Sequence, residues 1–279
     1  MIKYLDTLKN EGIKSENIAI GFFDGVHKGH IKLLEKLKKD DLIITFSLEN
    51  KEDEIYDLEI KINKLCQFCD NIIVLDLLKI KDNSAKDFID FLNSFEPSNI
   101  IVGTDFKFGN EQDGDVELLK EYFNIDLIEL EKKDSLKISS SLIRSLLKNG
   151  EVKEANEILG EKYYFIGKVI ECNKNGRTIG FPTANLDSEI KILKKGVYKT
   201  CTTIDGVVYD SITNVGNRPT FNGNNVIMET HVLNFNRHIY GEIIKVEILD
   251  FLRDEIKFNS VQELKEQIVK DIENIQKGE

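Results

Sequence analysis

No segment of this 279-residue chain approaches the roughly 20 consecutive apolar residues needed to cross a bilayer. The opening Met1-Ile2-Lys3-Tyr4-Leu5-Asp6 lacks the long apolar core of a signal peptide, so the cytoplasm is the expected compartment. A basic surface is missing as well: Lys and Arg total 38 against 49 Asp and Glu, a net charge of −11. Binding a phosphodiester backbone requires such a surface, which argues against a nucleic-acid partner. Small phosphates are a different matter, because one glycine-rich or basic pocket holds them. Cysteine is scarce, with 4 in the chain. Cys66-Gln67-Phe68-Cys69 has a metal-like or redox-like spacing, but no second CxxC pair accompanies it. Both cysteines fall on an expected helix, Ile60 to Cys69, whose i and i+3 neighbours explain the spacing without a metal.

What is present is enough apolar residue, 41%, to fill one large or two modest cores. The first half alternates aliphatic runs with amphipathic stretches. Strands are expected at Asn17–Ile20, Leu42–Phe46, Asn71–Leu75, Asn99–Val102 and Asp126–Leu130. Helices are expected at Ile31–Lys39, Ile60–Cys69, Ala85–Ser94 and Gly114–Tyr122. That alternation implies an α/β layer with a parallel sheet covered on both faces, whose ligands sit beyond the strand C-termini at a switch in strand order. Two helices follow, Ser140–Lys148 and Val152–Leu159. From Tyr163 onward the period becomes two, with strands at Tyr164–Ile170, Gly196–Ile204, Val207–Val215, Val226–Leu233 and Glu242–Leu249. Asp205-Gly206 is a hairpin signal, and so many strands in about ninety residues suggest a small antiparallel β-barrel. An amphipathic helix at Ser260–Ile275 closes the chain, with Ser260 as N-cap and Glu263 completing a capping box. The boundary between the halves is placed near Gly160, giving domains 1–160 and 161–279.

Gly21-Phe22-Phe23-Asp24-Gly25-Val26-His27-Lys28-Gly29-His30 follows the strand ending at Ile20. Gly21, Gly25 and Gly29 let the backbone approach a ligand, and Phe23 and Asp24 belong to the same turn. The helix start favours phosphate. His27 and His30 can donate hydrogen bonds to phosphoryl oxygens as charge develops. A histidine at a helix start is otherwise an N-cap. The stretch resembles the HxGH superfamily of nucleotidyl transferases. Ile138-Ser139-Ser140-Ser141-Leu142-Ile143-Arg144 is similar to that superfamily's Ser-Ser-x-x-x-Arg element, in which Ser139, Ser140 and Arg144 would face phosphate. Gly103-Thr104-Asp105-Phe106-Lys107-Phe108-Gly109 resembles the loop of bacterial FAD synthetases. That likeness puts Asp105, Phe106 and Phe108 near a flat flavin ring.

In the second half, Gly176 to Asn185 resembles the phosphate and magnesium loop of riboflavin kinases. Gly176 and Gly180 would turn tightly beside phosphates, Arg177 would balance charge, and Thr183 and Asn185 offer neutral oxygens to Mg²⁺. Asn214-Val215-Gly216-Asn217-Arg218-Pro219-Thr220 and Glu229-Thr230-His231 are similar to later segments of that family, in the same order. Glu229 corresponds to the glutamate that accepts the proton of the attacking alcohol. His231, two residues on, is read as a supporting group. Leu252-Arg253-Asp254-Glu255 resembles the family's arginine-bearing segment, which puts Arg253 near the flavin.

Nearly the whole chain thus resembles the bacterial bifunctional riboflavin kinase and FAD synthetase. The resemblance implies phosphorylation of riboflavin to FMN with MgATP in the second half. In the first half it implies transfer of AMP from ATP to FMN, with FAD and pyrophosphate as products. Its partners would be riboflavin, FMN and ATP, with oligomeric state left open. The chain departs from the family where Thr45-Phe46-Ser47-Leu48-Glu49-Asn50 replaces Thr-Phe-Glu-Pro-His-Pro, and where Phe22 and Ser141 replace the usual asparagine and threonine. Two alternatives follow: a riboflavin kinase with a degenerate transferase half, or a non-catalytic flavin or nucleotide sensor.

Overall fold

Consecutive aliphatic residues in the central first-half strands require two apolar faces, and the computed structural model supplies both. It describes the chain except residue 11 and residues 49–52, 130–131, 134–135, 172–179, 189, 221–222 and 278–279. Two compact units form, Met1–Ile143 and Arg144–Glu279.

In the first unit, strands β1 (Ile2–Leu5), β2 (Asn17–Ile20), β3 (Leu42–Ser47), β4 (Asn71–Asp76), β5 (Asn99–Gly103) and β8 (Ile125–Ile128) form one sheet. Its order is β1-β4-β3-β2-β5-β8, and every pairing is parallel. Alternate residues sort to opposite sides. Ile18, Ile20, Leu42, Ile44, Ile73 and Val102 join one buried cluster, while Ala19, Ile43, Ile72, Val74 and Ile101 join the other. Helices α1 (Lys28–Leu34), α2 (Leu58–Leu65), α3 (Leu77–Ile80), α4 (Ala85–Asn93) and α5 (Val116–Lys120) connect the strands. Two-residue strands β6 (Lys107–Phe108) and β7 (Gly114–Asp115) form a small ribbon, and β9 (Lys132–Lys133) and β10 (Leu136–Lys137) form another. Helix α4 starts at Ser84 with a full capping box to Asp87.

The strand order reverses between β2 and β5, the place where a parallel sheet opens a crevice beyond its carboxyl ends. The sequence did not signal β1, whose residues are half-buried or exposed along an edge. Helix α2 stops at Leu65, with Cys66 as its C-cap. Buried Cys69 donates its thiol to the carbonyls of Asp41 and Asn71, and burial pushes that thiol's pKa up.

The second unit begins within α6 (Ser140–Asn149) and continues through α7 (Val152–Leu159). Helix α7 belongs with the barrel because Asn156 donates to the Ile248 carbonyl and Lys153 pairs with Asp250. Strands β11 (Tyr164–Ile170), β12 (Ala184–Asp187), β13 (Gly196–Ile204), β14 (Val207–Thr220), β15 (Gly223–Val232) and β16 (Ile243–Arg253) close into an antiparallel barrel, order β11-β12-β15-β14-β13-β16. Asp205 and Gly206 turn the β13–β14 hairpin with φ of +49° and +78°, both in the left-handed region that matches hairpin twist. Helix α8 (Val261–Lys277) packs Ile272 and Ile275 on Val197, Ile212 and Leu252. At its start Ser260 accepts from the Glu263 N–H, while Glu263 reaches back to the N–H of Asn259, one residue beyond the expected partner.

Candidate functional sites

The turn after β2 is built from backbone that side chains rarely adopt. Phe23, Gly25 and Val26 have φ of +51°, +82° and +45°. A β-branched valine there is strained, and such strain persists where surrounding packing fixes it and function uses it. Phe23 and Val26 are buried and anchor the turn. Asp24 accepts from the Ile55 N–H at 2.9 Å, while its carbonyl accepts from Ser140 Oγ at 2.9 Å. Ser140 therefore ties the start of α6 to this loop. Ser139 holds that same start, its hydroxyl accepting from the Leu142 N–H.

His27 occupies the N-cap position of α1 but makes no side-chain capping bond. Its ring instead stacks on His30, with centroids 3.7 Å apart and planes 17° apart, and Phe23 meets His30 edge-on. Nδ1 of each histidine is buried without a hydrogen-bond partner. Burial holds His27 down to about 4, against the opposing pull of Asp24. The half-buried His30 is held well below its ordinary value by desolvation first, then by His27 and Lys61. At neutral pH the pair is uncharged, with polar atoms available to a ligand.

This arrangement has a stability consequence. A histidine whose folded pKa lies below its unfolded value binds fewer protons when folded, so stability is lost as pH falls from 6.5 through 4. The shift corresponds to about 3 kcal/mol for a buried group. Urea unfolding of the wild type between pH 7 and pH 4 should show a steeper loss than His27→Asn.

Both histidines line a cavity of about 710 Å³ at the carboxyl ends of the sheet, a size suited to a small-molecule ligand. Gly21, Phe23 and Gly29 border it, as do Asp105, Phe106, Phe108, Ser139 and Ser140. The Phe106 and Phe108 rings stack at 5.8 Å, and Phe108 is buried beneath, against Phe88. Asp24 and Gly25 stand behind the wall rather than on it. Arg144 follows one turn along α6 and is the first residue of the second unit. Sequence reasoning did not foresee the share taken by Phe22 and Phe46, stacked at 6.2 Å on the cavity wall.

In the barrel, the register organises the second site. Asn185 on β12 lies directly opposite Glu229 on β15, and Glu229 lies opposite Asn214 on β14. Directly paired side chains share a face about 5 Å apart, so a carboxylate stands between two amides. Asn185 is buried and its Oδ1 accepts nothing, an arrangement that costs about 1–3 kcal/mol unless a ligand supplies a partner. Thr183 immediately precedes β12. His231 donates from Nδ1 to the Pro182 carbonyl at 2.7 Å and meets the Phe181 ring edge-on. It therefore supports the loop that presents Thr183. Gly180 has φ +92° with open space around it, so its backbone angle, not crowding, calls for glycine. Gly176 and Arg177 lie outside the described residues. At Gly216 a Cβ would collide with Glu255 Oε1. Arg253 grips buried Asp271 of α8 through Nε and Nη2, at 3.0 and 2.8 Å, and donates Nη1 to the Asp254 carbonyl.

The FAD synthetase family matches residues 9–146 and the riboflavin kinase family residues 159–278. A bifunctional riboflavin kinase/FMN adenylyltransferase of Bacillus subtilis is 34% identical over 95% of this chain and 92% of its own length. The trifunctional protein RibF/MnmA of Mycoplasmoides gallisepticum is 36% identical over 92% of this chain, which spans only 39% of that relative. Among solved structures, a macrolide-efflux protein from Streptococcus pneumoniae superposes with a TM-score of 0.87 at 29% identity, covering 99% of this chain and 98% of its own. Among the described residues, no helix of the present chain is long and apolar enough to cross a membrane.

Proposed function

We propose how the two sites work from the premise that this chain belongs to the family of bifunctional riboflavin kinase/FMN adenylyltransferases. The enzyme phosphorylates riboflavin to FMN with ATP and adenylylates FMN to FAD with release of pyrophosphate. One observation carries the residue assignment. Among the described residues, three buried side-chain polar atoms lack a partner, and all belong to the two motifs: His27 Nδ1, His30 Nδ1 and Asn185 Oδ1. Buried polar atoms are ordinarily satisfied, so atoms left open within these motifs await a ligand.

In the kinase unit, Glu229 accepts the proton of the riboflavin primary alcohol as its oxygen attacks the γ-phosphorus of ATP, while the bond to the β,γ-bridging oxygen breaks and ADP leaves with the electron pair. The oxygens of Thr183 and Asn185 suit Mg²⁺, which takes one or two protein ligands beside phosphate and water. The unsatisfied Asn185 Oδ1 fits that role. When bound, the ion offsets charge on the transferring phosphoryl group. Gly176, Arg177 and Gly180 serve the ATP phosphates, and Arg253, fixed by Asp271, serves the flavin side. In the transferase unit a phosphate oxygen of FMN attacks the α-phosphorus of ATP. The bond to the β,γ-diphosphate breaks and pyrophosphate leaves with the electron pair, so no protein nucleophile is required. His27 and His30 donate hydrogen bonds to the developing negative charge. Ser139, Ser140 and Arg144, with the turn from Gly21 through Asp24 and Gly25 to Gly29, position the nucleotide. Asp105, Phe106 and Phe108 hold the flavin. We assign these roles to functional domains 1–160 and 161–279, and ATP dependence suits a cytoplasmic site of action.

The test is to incubate the protein with MgATP and either riboflavin or FMN and separate the flavins by chromatography. FMN from the first tube and FAD from the second are expected. FMN alone would identify a disabled transferase half. Bound flavin without product in either tube would leave a sensor.

A further inference from the structure

Lysine is among the residues least often buried, yet Lys61 on α2 is only 3% exposed. Its ammonium donates to the Phe46 carbonyl at 2.7 Å and to the Phe22 carbonyl at 3.4 Å. These carbonyls stand at the carboxyl ends of β3 and β2, the two strands whose loops border the transferase cavity. The same ammonium lies 5.0 Å from the centroid of the Phe22 ring, which stacks on Phe46. Thr45 adds a second donor to the Phe22 carbonyl, at 3.1 Å. One cation thus fastens two strand ends and one aromatic wall immediately before the strained turn that carries His27 and His30.

We propose that Lys61 is a positioning residue for FMN adenylylation, holding the floor on which Phe22 and the His27–His30 pair stand. A merely structural need for this volume would be met by a leucine or methionine, without the cost of burying a charge. The cation also acts at a distance. Burial does most to keep His30 uncharged, and two titratable groups add to it, His27 on the same helix start and Lys61 from α2, both opposing its protonation. Asp24, on the turn, acts on His27 in the opposite sense. Lys61 therefore helps keep the pair uncharged while adding positive potential beneath the phosphates.

The experiment compares Lys61→Met and Lys61→Arg in the full-length enzyme, with riboflavin phosphorylation by the same molecules as an internal control. Lys61→Met should lower kcat for FAD formation from FMN by about 100-fold, the scale of a misplaced reacting group. The KM for FMN should change little, and FMN formation from riboflavin should be unchanged. The acid limb of its adenylylation profile should move to higher pH, because His30 protonates more readily once the neighbouring charge is gone. Lys61→Arg, which keeps charge and donors, should recover much of the rate and the original acid limb. Equal FAD formation in Lys61→Met and wild type would overturn the proposal. So would a loss that Lys61→Arg does not relieve and that leaves the acid limb in place, which marks packing alone. The inference rests on adenylylation residing in this unit. A wild type that makes no FAD sinks that assignment, whereas active wild type with an equally active Lys61→Met sinks only the role of Lys61.

Discussion

Glu229→Gln is expected to abolish most riboflavin phosphorylation, by about 100- to 10,000-fold, the range a positioned general base contributes. FAD formation from added FMN should continue at the wild-type rate. The substitution keeps shape and hydrogen-bonding capacity while removing the ability to accept a proton, so the β15 backbone and its pairing with Asn185 and Asn214 stay intact. Loss should therefore appear in kcat, with riboflavin and ATP binding retained. The measurement is initial-rate kinetics of FMN formation beside riboflavin binding followed by fluorescence. Weak binding with unchanged kcat would show that Glu229 recognises substrate rather than taking its proton.

The reciprocal result is expected for the first unit. Replacing His30 by alanine should slow conversion of FMN to FAD by about 100- to 1,000-fold, as loss of one donor to a developing oxyanion does, with riboflavin phosphorylation undisturbed. His27→Ala should behave alike. The two losses should not add in the double variant, since stacked rings 3.7 Å apart act as one unit and each fixes the other. Steady-state rates of the two single variants and the double variant measure this directly. Full additivity would mean that the histidines serve separate phosphates.

Much of this was legible in the chain itself. Unbroken aliphatic runs such as Ile100-Ile101-Val102 fit only a sheet buried on both faces, and two apolar clusters accept their alternate residues. The period-two stretches after Tyr163 returned as barrel strands, and Asp205-Gly206 as their hairpin. Strands β1 and β12 escaped notice for a physical reason. β1 alternates exposed and half-buried residues along an edge and β12 breaks its apolar residues with Asn185 and Asp187, so neither reads as an apolar run, and their place is decided by pairing with strands distant in sequence. The Cys66–Cys69 spacing followed from a helix end and a buried thiol bound to carbonyls.

By itself the sequence marked the candidate residues for phosphate chemistry, because glycines at a turn, a histidine pair and a Thr-x-Asn segment encode local geometry within a few positions. Tertiary structure alone decided which of them share a site. The strand order sets the His27–His30 turn beside the Asp105–Phe108 loop at the switch between β2 and β5. The barrel register sets Glu229 against Asn185, more than forty positions away in the chain. Sequence spacing also carried no sign that Arg253 would be tied to Asp271, or that Lys61 would lie beneath Phe22. Contacts of that kind depend on strand pairing and packing across the fold, and no local pattern of residues records them.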